Sequence, residues 1–408
     1  MKHENTVVNS IAITELIRSF GTYVSWIILS LYLYTVRDVS IINIGIIFLL
    51  LGILSAPFGM IGGNLIDRIG RRPFAIKLPL LSITVYTTMF LMIYFNMPII
   101  YIIIPFIAYS PNTSLQYIND GAMVSDVTLE HERIDSFSKT RIYSNVGVAL
   151  GLFTGGFISQ FSYAYVFIIP VIGALLEEYI YITKIPETIP VHDDLTEDKI
   201  NFREIRNAMK DRLFLIFAIV VALSSLASSQ FESPMATIFF RTIDGFPIFF
   251  VTVLFVINAA TVIFIQNPVN SLLNGVMDSK RLAMGLVVFA TAFVIFGIFH
   301  NFIITCADVV ILTIGENILV PAISTTLSKI APVSLRGTYY GFFNATASLI
   351  NPFSPLIGAL LYAVYSEEPF ILWSIISLIA LVFALFFLGL NKQIEKREKE
   401  LSACTIKF

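Results

Sequence analysis

A charged side chain at the middle of a hydrocarbon-length apolar run costs about 2.5–3.5 kcal/mol on insertion scales, so it persists only where it faces protein or water. This chain carries several such groups. Glu15 and Arg18 stand on one face of the first apolar run, with Thr22 and Ser25 following at helical spacing. The first two are close enough to pair. Asn112, Gln116, Asn119 and Asp120 share a face of the fourth run, and Ser225, Ser229, Glu232 and Ser233 share a face of the seventh, with Gln230 beside them. Asp308 and Glu316 lie two turns apart in the tenth, near Thr305. Asn344, Ser348 and Asn351 mark the eleventh; Gln266, Asn267 and Asn270 mark the eighth.

The chemistry such groups can do is ion carriage. A carboxyl that is open first to an acidic side and then to the other can load and release one proton. A charge moved through about 100 mV is worth about 2.3 kcal/mol, so one titrating acid can couple a gradient to movement of a solute. Asp120, Glu232 and Glu316 are the candidate proton carriers, with Asp308 next. Arg18, Glu15, Asn112, Gln116, Gln230 and Asn344 are the candidate cavity residues. A purely structural Glu15–Arg18 ion pair is the competing reading. Glu177 and Glu178 are adjacent and so point to different faces, and no chemistry is assigned to them.

The elements that must position these groups are membrane helices. Of 408 residues, 56% are hydrophobic and 13% are charged, against roughly 25% charged in a soluble domain. A span needs about 20 apolar residues. Twelve stretches qualify, at 9–35, 40–66, 73–95, 98–127, 138–162, 164–184, 212–240, 246–274, 281–299, 302–329, 335–364 and 368–391. The first reads as a retained helix rather than a signal peptide. With the N-terminus inside, Arg37 and Arg241 fall in outer loops and Arg18 within a helix; the other 23 of 26 lysines and arginines fall inside. That split obeys the positive-inside rule and puts both termini in the cytoplasm. The charged stretch Pro186 to Asp211 divides six helices from six and predicts a linker with a short surface helix near Asn201 to Lys210. The domains are therefore 1–185, a linker 186–211, 212–391 and a tail 392–408. The tail, Lys/Glu-rich from Asn391 to Leu401, reads as a solvated helix. Cys306 and Cys404 form no disulfide framework, and four scattered histidines predict no metal site and no cofactor.

One stretch is denser in charge than a membrane loop requires: Gly62-Gly63-Asn64-Leu65-Ile66-Asp67-Arg68-Ile69-Gly70-Arg71-Arg72. It predicts a tight loop between the second and third helices. It resembles the G-x-L-x-D-R-x-G-R-R/K signature of the major facilitator superfamily, matching at Gly63, Leu65, Asp67, Arg68, Gly70, Arg71 and Arg72. The resemblance implies an all-α integral membrane fold of twelve helices in two pseudo-symmetric six-helix bundles. It implies a central cavity lined by helices one, four, seven and ten, and a gate in which Asp67, Arg71 and Asp126 lock the cytoplasmic side. It also suggests a monomer in the cell membrane.

The halves repeat weakly, as transporter halves do. Glu132-Arg133 answers to Leu335-Arg336, Gly155 to Gly358, and Asp278 in Asn274 to Arg281 to Asp67, without the arginine ladder. Gly147-x3-Gly151-Leu152-x2-Gly155-Gly156 is similar to the helix-five motif of the family's antiporters, except that Leu152 stands where that motif wants Pro; close helix packing through small residues is the alternative. Leu312 to Pro321 is similar to bacterial drug-exporter branches. The expected function is a proton-coupled exporter of drug-like small molecules by alternating access, or else a symporter importing a sugar or organic acid. The acids outnumber the one cavity arginine and favour cationic substrates. No nucleotide-binding Lys loop and no clustered catalytic site appear, so neither an ATP-driven pump nor an enzyme is expected, and nothing points to nucleic acid.

Overall fold

The structure is a computed structural model, and it describes residues 2–129, 132–188, 210–332 and 335–405. All regular structure among them is helical. In order the helices are α1 (Lys2–Thr35), α2 (Ile41–Ile69), α3 (Arg71–Tyr94), α4 (Ile100–Val127), α5 (Arg133–Ile158), α6 (Tyr163–Val166), α7 (Ile168–Lys184), α8 (Arg212–Ser228), α9 (Pro234–Thr242), α10 (Ile248–Leu272), α11 (Asp278–Ile298), α12 (Phe302–Ile330), α13 (Arg336–Ile350), α14 (Phe353–Tyr365) and α15 (Pro369–Thr405). The expected surface helix at 201–210 lies outside the described residues, apart from Lys210.

The chain forms two compact units. One comprises Met1–Asp194 with Phe240–Ala259, the other Leu195–Phe239 with Ala260–Phe408. Among the described residues, nine helical segments are long and apolar enough to cross a membrane. The sequence expectation of twelve includes three more, in α4, in α5 and across α8 and α9. Here polarity interrupts the apolar character: α4 carries Asn112, Gln116, Asn119 and Asp120, and α8 stops at Ser228 before a short break. The chain is a multi-pass membrane protein.

The charged motif is not a loop, which corrects the sequence reading. Helix α2 continues through Gly62 to Ile69, and α3 starts at Arg71. Gly70 alone makes the corner, at φ +106°, a backbone conformation that side chains disfavour. In α2 the apolar run ends before the helix does, because its last turn takes the exposed Asp67 and Arg68.

Glycines let α5 close on α1 in the first unit. A Cβ added at Gly147, Gly151 or Gly155 would strike the backbone carbonyl of Leu16, Phe20 or Val24 respectively, each one turn further along α1. Small residues let two backbones approach in this way. In the second unit, a Cβ on Gly358 would strike the Gln230 side chain. Gly21 seats against Pro170, where a Cβ would lie 3.0 Å from its Cα, and this holds α7 against α1.

The second unit has an aromatic core. Trp373 stacks on Phe293 at 5.5 Å and meets Phe239 and Phe296 at 5.3 Å each. Its tail is a helix with one exposed face, as expected, and a second face held against the unit. Residues 391–405 continue α15 without a break, and Arg397 and Glu398 are tied down while Lys392, Lys396 and Lys399 stay exposed. Lys329 bridges Asp278 at 2.7 Å and Glu398 at 3.2 Å. Arg397 reaches Asp211 at 2.9 Å and the Ile330 carbonyl at 3.4 Å, and the Tyr339 hydroxyl donates to the same Asp211 oxygen at 2.9 Å. Asp211 also caps α8 by accepting from the Phe214 N–H.

Candidate functional site

Arg18 lies at the centre of a buried polar cluster in the first unit. Its Nη2 is shared by Glu15 Oε1 at 2.8 Å and Asp120 Oδ2, and its Nη1 donates to Glu177 Oε1 at 2.9 Å. The Tyr181 hydroxyl donates to Asp120 Oδ1 at 2.6 Å. The side chains of Asp120 and Glu177 are 3% and 2% exposed. Three helices supply the cluster: α1 gives the i,i+3 pair, α4 gives Asp120, and α7 gives Glu177 and Tyr181 at i,i+4. The Gly21–Pro170 contact sets α7 close enough for Glu177 to meet the guanidinium. One guanidinium faces three carboxyl groups, so it can balance only one of them if all are ionised.

Glu15 and Asp120 also line a cavity of about 450 Å³ between α1, α4 and α5. Tyr117, Phe137, Thr140, Arg141 and Ser144 share its wall with apolar side chains. Few polar groups on an apolar wall is the usual make-up of a small-molecule site. Sequence reasoning named Arg18, Glu15 and Asp120 but missed Glu177 and Tyr181. A usable signal was present: their i,i+4 spacing puts both on one face of α7. Arg141 was missed because it stands close to the motif-like 4–5 junction and reads there as an inside anchor.

A second cluster sits at the corner around Gly70. Arg71 pairs with Asp67 one turn back on α2, and its Nε donates to Asp126 Oδ2 at 3.0 Å. Thr188 Oγ1 donates to the same Asp126 oxygen at 3.2 Å. Glu187 closes the N-terminus of α3, accepting from the N–H groups of Arg71 and Arg72 at 3.1 and 3.2 Å. A carboxylate there meets free donors and the positive end of the helix dipole. Arg72 donates to the Ile182 carbonyl at 2.9 Å, and Asn119 Nδ2 to the Arg71 carbonyl at 3.2 Å. Arg68 is exposed, and Gly63 is an internal residue of α2.

The remaining candidates are not gathered into the Arg18 cluster. Asn112 is buried and donates to Ser82 Oγ at 3.1 Å, while Gln116 is buried with no hydrogen-bond partner among the described residues. Gln230 is fully buried and donates to the Ser354 carbonyl and hydroxyl, both at 3.0 Å, tying the end of α8 to α14. Asn344 is exposed on α13, and Glu232 is exposed with Glu316 as an electrostatic neighbour. Asp308 is 1% exposed, and neither carboxyl oxygen has a hydrogen-bond partner among the described residues. No group of three His, Cys, Asp or Glu side chains arranged for a metal occurs among the described residues.

Comparison with known proteins bears on what this arrangement serves. The sequence model of the Major Facilitator Superfamily matches residues 11–281 and 267–403. The chain is 24% identical over 354 residues to the MFS-type transporter YttB of Bacillus subtilis (strain 168), covering 86% of this chain and 87% of that one. It is 23% identical over 264 residues to YqjV of the same organism, covering 64% of each. Among solved structures, the nucleoside transporter NupG is similar in fold, with a TM-score of 0.76 at 13% identity over 94% of this chain and 99% of that one. The peptide transporter POT in complex with alafosfalin has a TM-score of 0.74 at 17% identity over 96% and 95%.

Proposed function

The chain belongs to the major facilitator superfamily, and on that premise we propose that it is a proton-coupled secondary transporter that exports drug-like organic molecules by alternating access. In the proposed architecture, residues 1–185 and 212–391 are two six-helix bundles joined by the 186–211 linker. The protein works as a monomer in the cell membrane with both termini in the cytoplasm.

The observation that carries this reading is the Arg18 cluster at the wall of the 450 Å³ cavity. A surplus of buried carboxyls over their one counter-charge gives protons a place to bind, and Glu15 and Asp120 border the space a solute would enter. Proton and solute can therefore compete for, or depend on, the same carboxyls. The Asp67–Arg71–Asp126 group is the proposed cytoplasmic lock, which forms and breaks as the cavity changes sides. Asp308, Glu232 and Glu316 are proposed as further carriers in the second half.

One observation favours a second reading. Arg141 lines the cavity with no ion-pair partner among the described residues, and a free guanidinium suits an organic acid taken up by symport. Proteoliposomes with an imposed pH gradient and an internal pH dye test both, using cationic dyes, sugars and organic acids as solutes. Export by exchange gives proton movement opposite to the solute and loss of that movement in Asp120→Asn. Co-movement of proton and an organic acid establishes symport. Solute movement with no proton flux in any direction overturns the coupling.

A further inference from the structure

A row of hydroxyl groups lies directly behind the carboxyl cluster. The Tyr109 hydroxyl and Ser82 Oγ are 3.1 Å apart, and Ser82 also accepts from Asn112. The Tyr109 and Tyr86 rings meet edge to face at 5.2 Å, and the Tyr86 hydroxyl faces those of Thr22 and Ser25 on α1. Ser25, Ser82, Tyr86 and Tyr109 are buried. Beyond Ser25 the polar row ends against aromatic rings, with Trp26 at 5.1 Å from Phe48 and 6.2 Å from Phe106.

Between this row and the carboxyl cluster is a cavity of about 10 Å³. Arg18, Thr22, Ser82, Tyr86, Tyr109 and Glu177 line it. That volume is what the centre of one water molecule needs, and internal water is held where two to four polar partners surround it. Here six polar side chains from α1, α3, α4 and α7 converge, and Glu177 is an electrostatic neighbour of Tyr109.

We propose that this cavity is a water site that joins Glu177 to the hydroxyl row, so that the row and the cluster form one hydrogen-bonded path reached from the 450 Å³ cavity. The proposal rests on the proton-coupled reading and adds where the proton is held. A proton enters at Glu15 or Asp120 and is stored on Glu177. There it is shared with the water, which hydrogen-bonds in turn to the Tyr109 and Thr22 hydroxyls. The hydroxyls share these hydrogen bonds without gaining or losing a proton, so the carboxyls alone are titrated and the proton leaves by the cavity. The titratable groups facing the site are Glu15 and Arg18 from α1, Tyr86 from α3, Tyr109 and Asp120 from α4, and Glu177 and Tyr181 from α7.

Infrared difference spectra of the full chain in lipid vesicles, acid minus alkaline, test the path with the proton as the only probe. The expected result is a buried carboxyl C=O band that disappears in Glu177→Gln. In Tyr109→Phe and Thr22→Val that band shifts, and an O–H band of bound water, identified by its movement in heavy-oxygen water, is lost. Tyr86→Phe gives the same loss and serves if Tyr109→Phe does not fold; Tyr165→Phe, at an exposed ring, changes nothing. A band that survives Glu177→Gln, or one unmoved by the hydroxyl variants with the water band intact, overturns the path. A wild-type chain with no titrating carboxyl band overturns the coupling reading itself, a separate result.

Discussion

Arg18 of α1 and Glu177 of α7 lie 159 positions apart in the chain and hydrogen-bond at 2.9 Å. With Asp120 and Glu15 on the same guanidinium, Arg18 is the common partner of three helices' polar groups. Removing one member of a buried ion cluster leaves the others uncompensated, at a cost of about 3–5 kcal/mol. Arg18→Ala is therefore expected to lower the unfolding temperature sharply, and Arg18→Ala with Glu177→Gln to recover part of the loss. Thermal unfolding in detergent, followed by intrinsic fluorescence, checks this; a double variant no more stable than the single one refutes the coupling between the two residues.

Asp67→Asn and Asp126→Asn each remove one negative charge facing Arg71. If this group is the lock, both variants fold and reach the membrane but lose transport, because the outward-facing state is no longer held. Solute flux in vesicles normalised to the amount of folded protein is the measurement. Flux at the wild-type rate in either variant removes the gating role.

At Gly151 a methyl group has no room, since it meets the Phe20 backbone. Backbone cannot yield as a side chain can, so Gly151→Ala is expected to cost about 1–3 kcal/mol, the usual penalty of overpacking. Gly341, where an added Cβ meets nothing within 4 Å, serves as the control. Equal unfolding temperatures for Gly151→Ala and Gly341→Ala contradict the packing account.

The tail offers a proteolytic test. Arg397→Glu replaces an ion pair to Asp211 with repulsion. Cleavage of an opened segment follows the population of the open form. A loss of about 1.4 kcal/mol makes trypsin cut after Lys396 about tenfold faster, and Asp211→Arg in the same chain restores protection. Equal cleavage rates in wild type and Arg397→Glu mean that the tail is not held.

Much of this was legible from residue types alone. The cost of charge in an apolar run singled out Glu15, Arg18 and Asp120, and the density of charge around Gly70 singled out Asp67 and Arg71, while Asp126 came with the gate that the family resemblance implies. Periodicity places a residue on a face but says nothing of what lies opposite. It therefore could not choose between Glu177 and Glu178, nor find Glu187 and Thr188 at the α3 corner. Gln230 shows the same limit: its face was readable, but its bond to Ser354 depends on where Gly358 lets α14 approach. A charge run showed only one face of the tail. Lys396 to Glu400 has the composition of a solvated helix, and only three-dimensional placement reveals Lys329, Asp211 and Tyr339 beneath it.

The tail's attachments also bear on the order of folding. Chains fold from the N-terminus while they are being made. Every described partner in the Arg18 and Arg71 clusters lies between Glu15 and Thr188, so these clusters can close while later residues are still being added. Asp211 and Lys329 gain Arg397 and Glu398 as partners later than any of these. The second unit therefore completes these ion pairs only once Glu398 has been made, and a chain truncated before Arg397 loses them while keeping every described partner of the first unit's two clusters.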